Sequence, residues 1–261
     1  MLESIGFFQV VSIFDFITDT QWTPLFSQKH YGILPLLSGT FLTTAIAVAV
    51  ALPIGLSIAI YLSEYAPKGF RKKIKPALEI LAAVPTVVYG FFALTVVTPF
   101  LQTFIPGLGS FNAMSAGIVM GIMIIPLISS LSEDALFSIP KSLREASYGM
   151  GATKFQTAFK VSVPAASSGI VVSVILAIAR AIGETMIVSI AAGQQPILTM
   201  DPRDAVETIT AYIVQVSLGD VQHGSIEYKT IFAAGITLFI FTFILNNISY
   251  LIKKKYQEKY E

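Results

Sequence analysis

Five apolar blocks, each long enough to cross a lipid bilayer as a helix, constrain this chain more than any other feature of its sequence. The hydrocarbon core of a bilayer is ~30 Å thick and an α-helix rises ~1.5 Å per residue, so a span needs about 20 apolar residues. The blocks run from about Leu34 to Leu62, Leu78 to Phe104, Asn112 to Leu131, Ala165 to Ala192 and Ile231 to Ile252. Pro53 lies inside the first, and Pro85 and Pro99 lie in or near the ends of the second, where proline is expected to bend a membrane helix. An N-terminal stretch, Ile5 to Ile17, is apolar but short and is broken by Asp15, with Asp19 just beyond. It reads as the end of a truncated first span or as an interfacial helix, and it lacks the basic leader and small-residue cleavage site of a removable signal peptide. With 54% of 261 residues hydrophobic and 13% charged, water is not the only solvent of this chain.

The basic residues orient the spans, because Lys and Arg near span ends are retained on the cytoplasmic side. Most of the seventeen fall in three regions: Lys68, Arg71, Lys72, Lys73 and Lys75; Lys141, Arg144, Lys154 and Lys160; and Lys253, Lys254, Lys255 and Lys259. These regions alternate with segments at Gln102 to Phe111 and Gly193 to Tyr228 that carry only Arg203, with Lys229 at the border. The full spans therefore begin outside and end inside.

Several chemistries are excluded by composition. No cysteine is present, so disulfides, thiol nucleophiles and thiolate metal sites drop out. His30 and His223 are far apart and neither has a carboxylate at ligand spacing, so no metal site is expected. A net charge of +1 offers no field for nucleic acid. No Gly-rich Lys-Ser/Thr loop occurs, so any ATP is hydrolysed by another subunit, and no cofactor is expected.

Between the third and fourth spans lies a polar segment, 132–164, too regular for a slack linker. Pro140 suits a helix start, Lys141 to Met150 are good helix formers, and Gly151 supplies the positive φ that ends a helix. Thr153 is placed to cap a second short helix through Phe159, and Pro164 marks entry to the fourth span. Leu143, Ala146, Ser147 and Met150 recur at helical spacing as a narrow face with small residues at its centre, which would let a partner's groove approach closely. Glu145-Ala146-Ser147, then Gly151, Val161 and Val163-Pro164, resemble the E-A-A-x3-G-x9-I-x-L-P loop of ABC importer permeases, with Ser147, Val161 and Val163 as mild departures. The resemblance implies that Glu145, Ala146, Ser147 and Gly151 couple this chain to an ATPase. A plain interfacial hairpin bracing two spans is the alternative.

The fourth block contains Arg180 and Glu184, which a continuous helix would place one turn apart on one face near its middle. An arginine at a helix centre costs ~2.5–3.5 kcal/mol on insertion scales, so a buried ionisable pair is a functional candidate. Glu184 would screen Arg180, although a buried ion pair adds little net stability over apolar residues of similar size. A guanidinium is charged at any working pH and its planar fork matches tetrahedral oxyanions, so Arg180 is a candidate to hold an anion in transit, with Glu184 keeping binding weak enough for release. A structural interhelix salt bridge is the alternative. Gly183, with Ala177 and Ala181, would permit close packing against a second subunit.

Ala179 to Met186 is similar to the R-A-x-G-E-T segment of phosphate permeases, and Tyr31 to Thr40, Tyr61 to Pro67 and Val84 to Gly90 are similar to the PstC family. The resemblance runs from about Trp22 to the C-terminal region. It implies an all-α, polytopic membrane protein of the type I ABC importer permease fold, with five full transmembrane helices, a partial N-terminal helix and cytoplasmic coupling helices. It also implies assembly with a PstA-like permease and a PstB-like ATPase dimer, delivery by a periplasmic or extracellular phosphate-binding protein, and inorganic phosphate as substrate. The expected organisation is a partial first span and periplasmic segment at 1–33, a permease domain at 34–252 and a basic cytoplasmic tail at 253–261. Permeases of other oxyanions such as sulfate or molybdate, and a passive anion channel, are the competing readings. An intramembrane enzyme using Glu184 is disfavoured because no second carboxylate, serine dyad or metal cluster accompanies it at depth.

Weaker features complete the reading. Trp22 and Tyr31 flank the outer end of the first span and read as interface anchors. Asp201-Pro202-Arg203-Asp204 reads as a turn and helix start followed by an amphipathic run through Ser217, an outer gate, docking surface or solvated reentrant loop. Gly90 would allow close helix contact beside Tyr89, Phe91 and Phe92, which read as packing. Ser38, Thr40, Thr43 and Thr44 either line a path or bond their own helix carbonyls.

Overall fold

A computed structural model describes residues 2–256 of the chain; Lys259 and the end of the basic tail lie outside the described residues. The architecture is all-helical. Two short helices, α1 (Leu2–Phe8) and α2 (Ile13–Thr18), precede α3 (Leu34–Ile60), which runs on through a π-helical turn at Tyr61–Tyr65. Then come α4 (Lys68–Ala83), α5 (Thr86–Phe92), a π-helical turn at Ala93–Val97, α6 (Thr98–Gln102) and α7 (Ala113–Phe137). The polar segment forms α8 (Lys141–Gly149), α9 (Lys154–Thr157), a π-helical turn at Ala158–Ser162 and α10 (Val163–Ala165). The rest is α11 (Ser167–Ile182), α12 (Met186–Ala191), α13 (Ile209–Leu218) and α14 (Ile226–Tyr256).

Three helical stretches, Leu34–Tyr65, Ala113–Phe137 and Ile226–Ile252, are each long and apolar enough to cross a membrane. The other two expected spans are interrupted. In the second, Val84 has ψ 130° and ends α4, because a proline at position 85 crowds the backbone of the residue before it out of the helical region. The basic residues Arg71 to Lys75 thus lie on a helix rather than in a loop. In the fourth, α10 and α11 meet at Ala166 with a bend of 70°. At the far end α11 stops at Ile182, so the continuous helix expected through Ala192 is replaced by α11, a three-residue break and α12.

The chain divides into two compact units. One comprises residues 1–47, 85–120 and 181–243. Its core packs Phe7, Phe16, Trp22, Ile33, Leu36, Ile209, Tyr212 and Val216 together. Here Trp22 meets Phe16 and Tyr212 edge-on, with centroids 6.2 and 5.0 Å apart, a geometry that suits the ring quadrupoles. Trp22 is 1% exposed, so it is a core residue and not the interface anchor its position suggested. The run through Ser217 likewise forms a buried helix: Ile209, Tyr212 and Val216 face the core, and α13 is capped by Thr208, whose hydroxyl accepts from the Ala211 amide. Asp201–Asp204 makes a turn closed by the Asp204 amide on the Asp201 carbonyl, but the helix begins five residues later. Gly90 has the expected role, since a Cβ there would stand 2.9 Å from Ile190 Cδ1. The hydroxyls of Ser38, Thr40 and Thr43 bond carbonyls of their own helix, and Thr40 also accepts from the Ile209 amide at 3.1 Å.

The second unit comprises residues 48–84, 121–180 and 244–261. Ala59, Ile60, Leu136, Ile139, Ala158, Ala166 and Ile170 form its apolar cluster, joined by Leu56, Leu143 and Val163. A Cβ on Gly169 would stand 2.4 Å from the Ala135 Cβ, so glycine is required for α11 to approach α7 this closely. Ser132 and Ser173 exchange a hydrogen bond of 2.7 Å across the same contact.

Candidate functional site

The polar segment is a helical hairpin with every stop signal in place. Pro140 precedes α8, Gly151 has φ +84°, and Thr153 and Gln156 form a reciprocal capping box at α9. Ser147 is buried and its hydroxyl meets that of Thr157 at 2.9 Å, which holds the two short helices together. The small residue departing from the family pattern therefore has a hydrogen-bonding use that alanine lacks. Glu145 and Ala146 are exposed, Met150 is 87% exposed, and nothing lies within 4 Å of a Cβ built on Gly149 or Gly151. The hairpin thus offers an open face with one acidic residue and a protruding methionine, while Leu143 packs inward.

Arg180, expected as half of a buried pair, is instead exposed; it lies on the last turn of α11 and lines a cavity of about 250 Å³. Lys75 and Glu79 of α4, and Ser129, Ser130 and Glu133 of α7, line it too. Among the described residues, Arg180 and Glu79 enter no ion pair. Glu133 is 1% exposed and is neutralised by Arg71 and by Lys75, whose Nζ is 3.2 Å from one carboxylate oxygen and 2.9 Å from Asp134. Arg71 also lies over the Phe137 ring at 4.2 Å. The cavity wall therefore holds one internally balanced charge cluster and one guanidinium with its donors uncommitted. Eight waters' worth of liquid is about 250 Å³, so a small hydrated inorganic ion fits. Sequence reasoning missed the Arg71–Lys75–Glu133 cluster because Arg71 and Lys75 lie on α4 and Glu133 on α7, far apart in sequence; a Glu just past the end of an apolar block was the available signal.

Glu184 has other partners. With α11 ending at Ile182, the i, i+4 relation that a continuous helix would give it with Arg180 does not carry through. Its carboxylate accepts from the Met186 amide at 3.1 Å and the Ile187 amide at 3.5 Å, at the start of α12. Its carbonyl accepts from the Thr210 hydroxyl at 2.6 Å, which ties α12 to α13. Ala177 and Ala181, expected to face another subunit, are buried within the chain itself. A further carboxyl, Glu207, is 2% exposed in the stretch leading to α13, and burial raises its pKa to about 8. One of its side-chain oxygens has no hydrogen-bond partner. Outside the helices, Asp201 is held at about 2 by hydrogen bonds from Arg203.

Three uninterrupted apolar helices and two bent helix pairs of spanning length and composition define a multi-pass membrane protein. The chain belongs to the family described as "Binding-protein-dependent transport system inner membrane component", which matches residues 51–258. It is 40% identical over 235 residues to the "Probable ABC transporter permease protein YqgH" of Bacillus subtilis, covering 90% of this chain and 75% of that one. It is 33% identical over 261 residues to the "Phosphate transport system permease protein PstC" of Mesorhizobium japonicum, covering 92% of this chain and 79% of that one. Among solved structures, the inward-facing MetNI methionine ABC transporter superposes with a TM-score of 0.63 at 19% identity, covering 85% of this chain and 95% of that one. That last likeness establishes the shared fold of type I ABC importer permeases.

Proposed function

We propose that this chain is the permease subunit through which an ATP-driven importer passes inorganic phosphate. Arg180 carries the reading: a fixed cation with free donors, set in a cavity of ionic size on a helix joined through α10 to the hairpin. Phosphate presents the tetrahedral oxygens that a guanidinium fork matches, and a guanidinium that spends no donors on neighbours meets the anion without first breaking an ion pair. The similarity to phosphate transport permeases supports phosphate over other oxyanions. Glu184 lines the path at the start of α12, where its carboxylate orders the break after α11.

In this reading a PstA-like permease completes the path, a phosphate-binding protein delivers the anion, and a PstB-like ATPase dimer grips the open face at Glu145, Ala146 and Gly151, while Ser147 couples from beneath by holding the two hairpin helices together. Closure of the ATPases moves α8 and α9, and α11 carries Arg180 between outward and inward access. Uptake of labelled phosphate in cells carrying the importer tests the substrate. Excess phosphate should abolish it while the same excess of sulfate or molybdate leaves it within about two-fold of the uncompeted rate. Stronger competition by sulfate or molybdate would reassign the substrate, and uptake persisting without ATP would make the chain a passive channel. Glu145→Lys should leave the complex assembled with transport reduced at least ten-fold, about 1.4 kcal/mol of lost coupling.

A further inference from the structure

We propose that Arg144 is a positioning residue for energy coupling, a clamp that makes α8, the π-helical turn after α3 and the end of α7 move as one body. The proposal rests on the reading of the hairpin as the contact with a motor subunit.

Three points of the chain converge on this one guanidinium. Its Nε donates to Glu64 Oε1 at 3.0 Å, one terminal nitrogen donates to the Leu136 carbonyl at 2.7 Å, and the other reaches the Ile139 carbonyl at 3.5 Å. The nitrogen on Leu136 is also 3.0 Å from the Glu64 carboxylate. The Arg144 side chain is 15% exposed and that of Glu64 only 3%. All four residues lie in the same compact unit, beside the apolar cluster of Ala59, Ile60, Leu136 and Ile139.

Helix capping alone accounts for only part of this arrangement. The last carbonyls of α7 need donors, and a cation near a helix C-terminus is favourable. A lysine or a water would meet that need. Recruiting a buried carboxylate from another helix adds desolvation that an apolar pair would avoid. What the pair supplies is geometry. Arg144 joins α8 to two spans, and its sequence neighbours Glu145 and Ala146 occupy the opposite, exposed face. A displacement applied to that face reaches α3 and α7 through bonds that a single-point ammonium cannot reproduce. Glu64 sits within the π-helical turn Tyr61–Tyr65, closed by the Ala66 amide on the Tyr61 carbonyl at 2.9 Å. Such turns are found frequently at functional sites, and the clamp grips the end of α3 there.

The test reconstitutes the whole importer in vesicles and measures phosphate transported per ATP hydrolysed for the parent, Arg144→Gln, Arg144→Lys and Glu64→Gln. ATPase subunits should copurify in parental amounts. Transport per ATP should fall about five-fold or more in Arg144→Gln and Glu64→Gln, the range of ordinary coupling free energies. Arg144→Lys should fall between these and the parent, since it keeps the charge and loses the fork. A role in stability alone would lower the yield of complex and leave the ratio at the parental value, which would overturn the proposal. Should Arg144→Gln fail to assemble, the near-isosteric Glu64→Gln and the charge-retaining Arg144→Lys decide by the same ratio. Absence of ATP-driven phosphate uptake in the parent would contradict the proposed function and the clamp with it, and is thereby distinguished from a parental ratio in the variants.

Discussion

At the scale of single residues, the buried carboxylates and the exposed Arg180 differ in whether their charge is committed. Glu133, Glu64 and Glu184 all have partners that use their negative charge: Arg71 and Lys75, Arg144, and the first amides of α12. Arg180 has none among the described residues, which is unusual for a guanidinium next to apolar spans. Glu207 is the converse case, a buried carboxyl held neutral. Its value rises from 4.5 to about 8 on folding, so the folded state binds more protons than the unfolded one across that window. Stability from this group is therefore complete below pH 4.5 and is lost as pH rises through 8. Thermal unfolding in detergent should show a midpoint falling with pH across this window, and Glu207→Gln should flatten that dependence and raise the midpoint near pH 8. An undiminished slope in the variant would remove Glu207 as its cause. The sequence showed Arg180 as a charge out of place, but not Glu207, which lies in a stretch of polar composition. Trp22 was misread for a related reason: a tryptophan beside a span has the same sequence signature whether it meets lipid headgroups or, as here, Phe16 and Tyr212.

At the scale of elements, local stop signals are legible in the sequence and helix continuity is not. Pro140, Gly151 and Thr153 each act at their own position, so the first hairpin helix and the turn are legible to within a residue, whereas the second helix, expected through Phe159, ends at Thr157 and runs on as a π-helical turn to Ser162. The breaks at Val84 and after Ile182 were not legible, because a run of apolar residues satisfies the length of a span whether or not its helix is continuous. Pro85 was visible, and its effect on the preceding residue could have marked the first break. The second has only Gly183 as a signal, and the hydrogen bond from the Thr210 hydroxyl to the Glu184 carbonyl that accompanies the break is hidden by sequence distance. Gly151 offers a test at this scale. Its φ of +84° lies where a β-branched residue is strained by about 1–2 kcal/mol, and no neighbouring atom obstructs a side chain there. Gly151→Val should therefore disturb only the hairpin turn. Copurification of ATPase should drop several-fold while membrane insertion and yield stay normal; retention of the ATPase at parental levels would show that the turn can reverse without glycine.

At the scale of the whole molecule, the alternation of basic and neutral connecting segments places the hairpin on the cytoplasmic side, where a nucleotide-hydrolysing subunit would reach it. Fold class was legible because bilayer thickness leaves few solutions for five apolar blocks, and the family match and structural likeness agree. The sequence contains no nucleotide loop, so in the proposed function energy would enter at α8 from a partner subunit and be used where Arg180 meets its ligand. The most direct test is ATP-dependent uptake of labelled phosphate by vesicles containing the complete importer with Arg180→Gln. The account predicts a fully assembled complex, with ATPase bound at parental levels and uptake reduced to background. Parental uptake in that variant would contradict it, because no other uncommitted guanidinium lines the cavity.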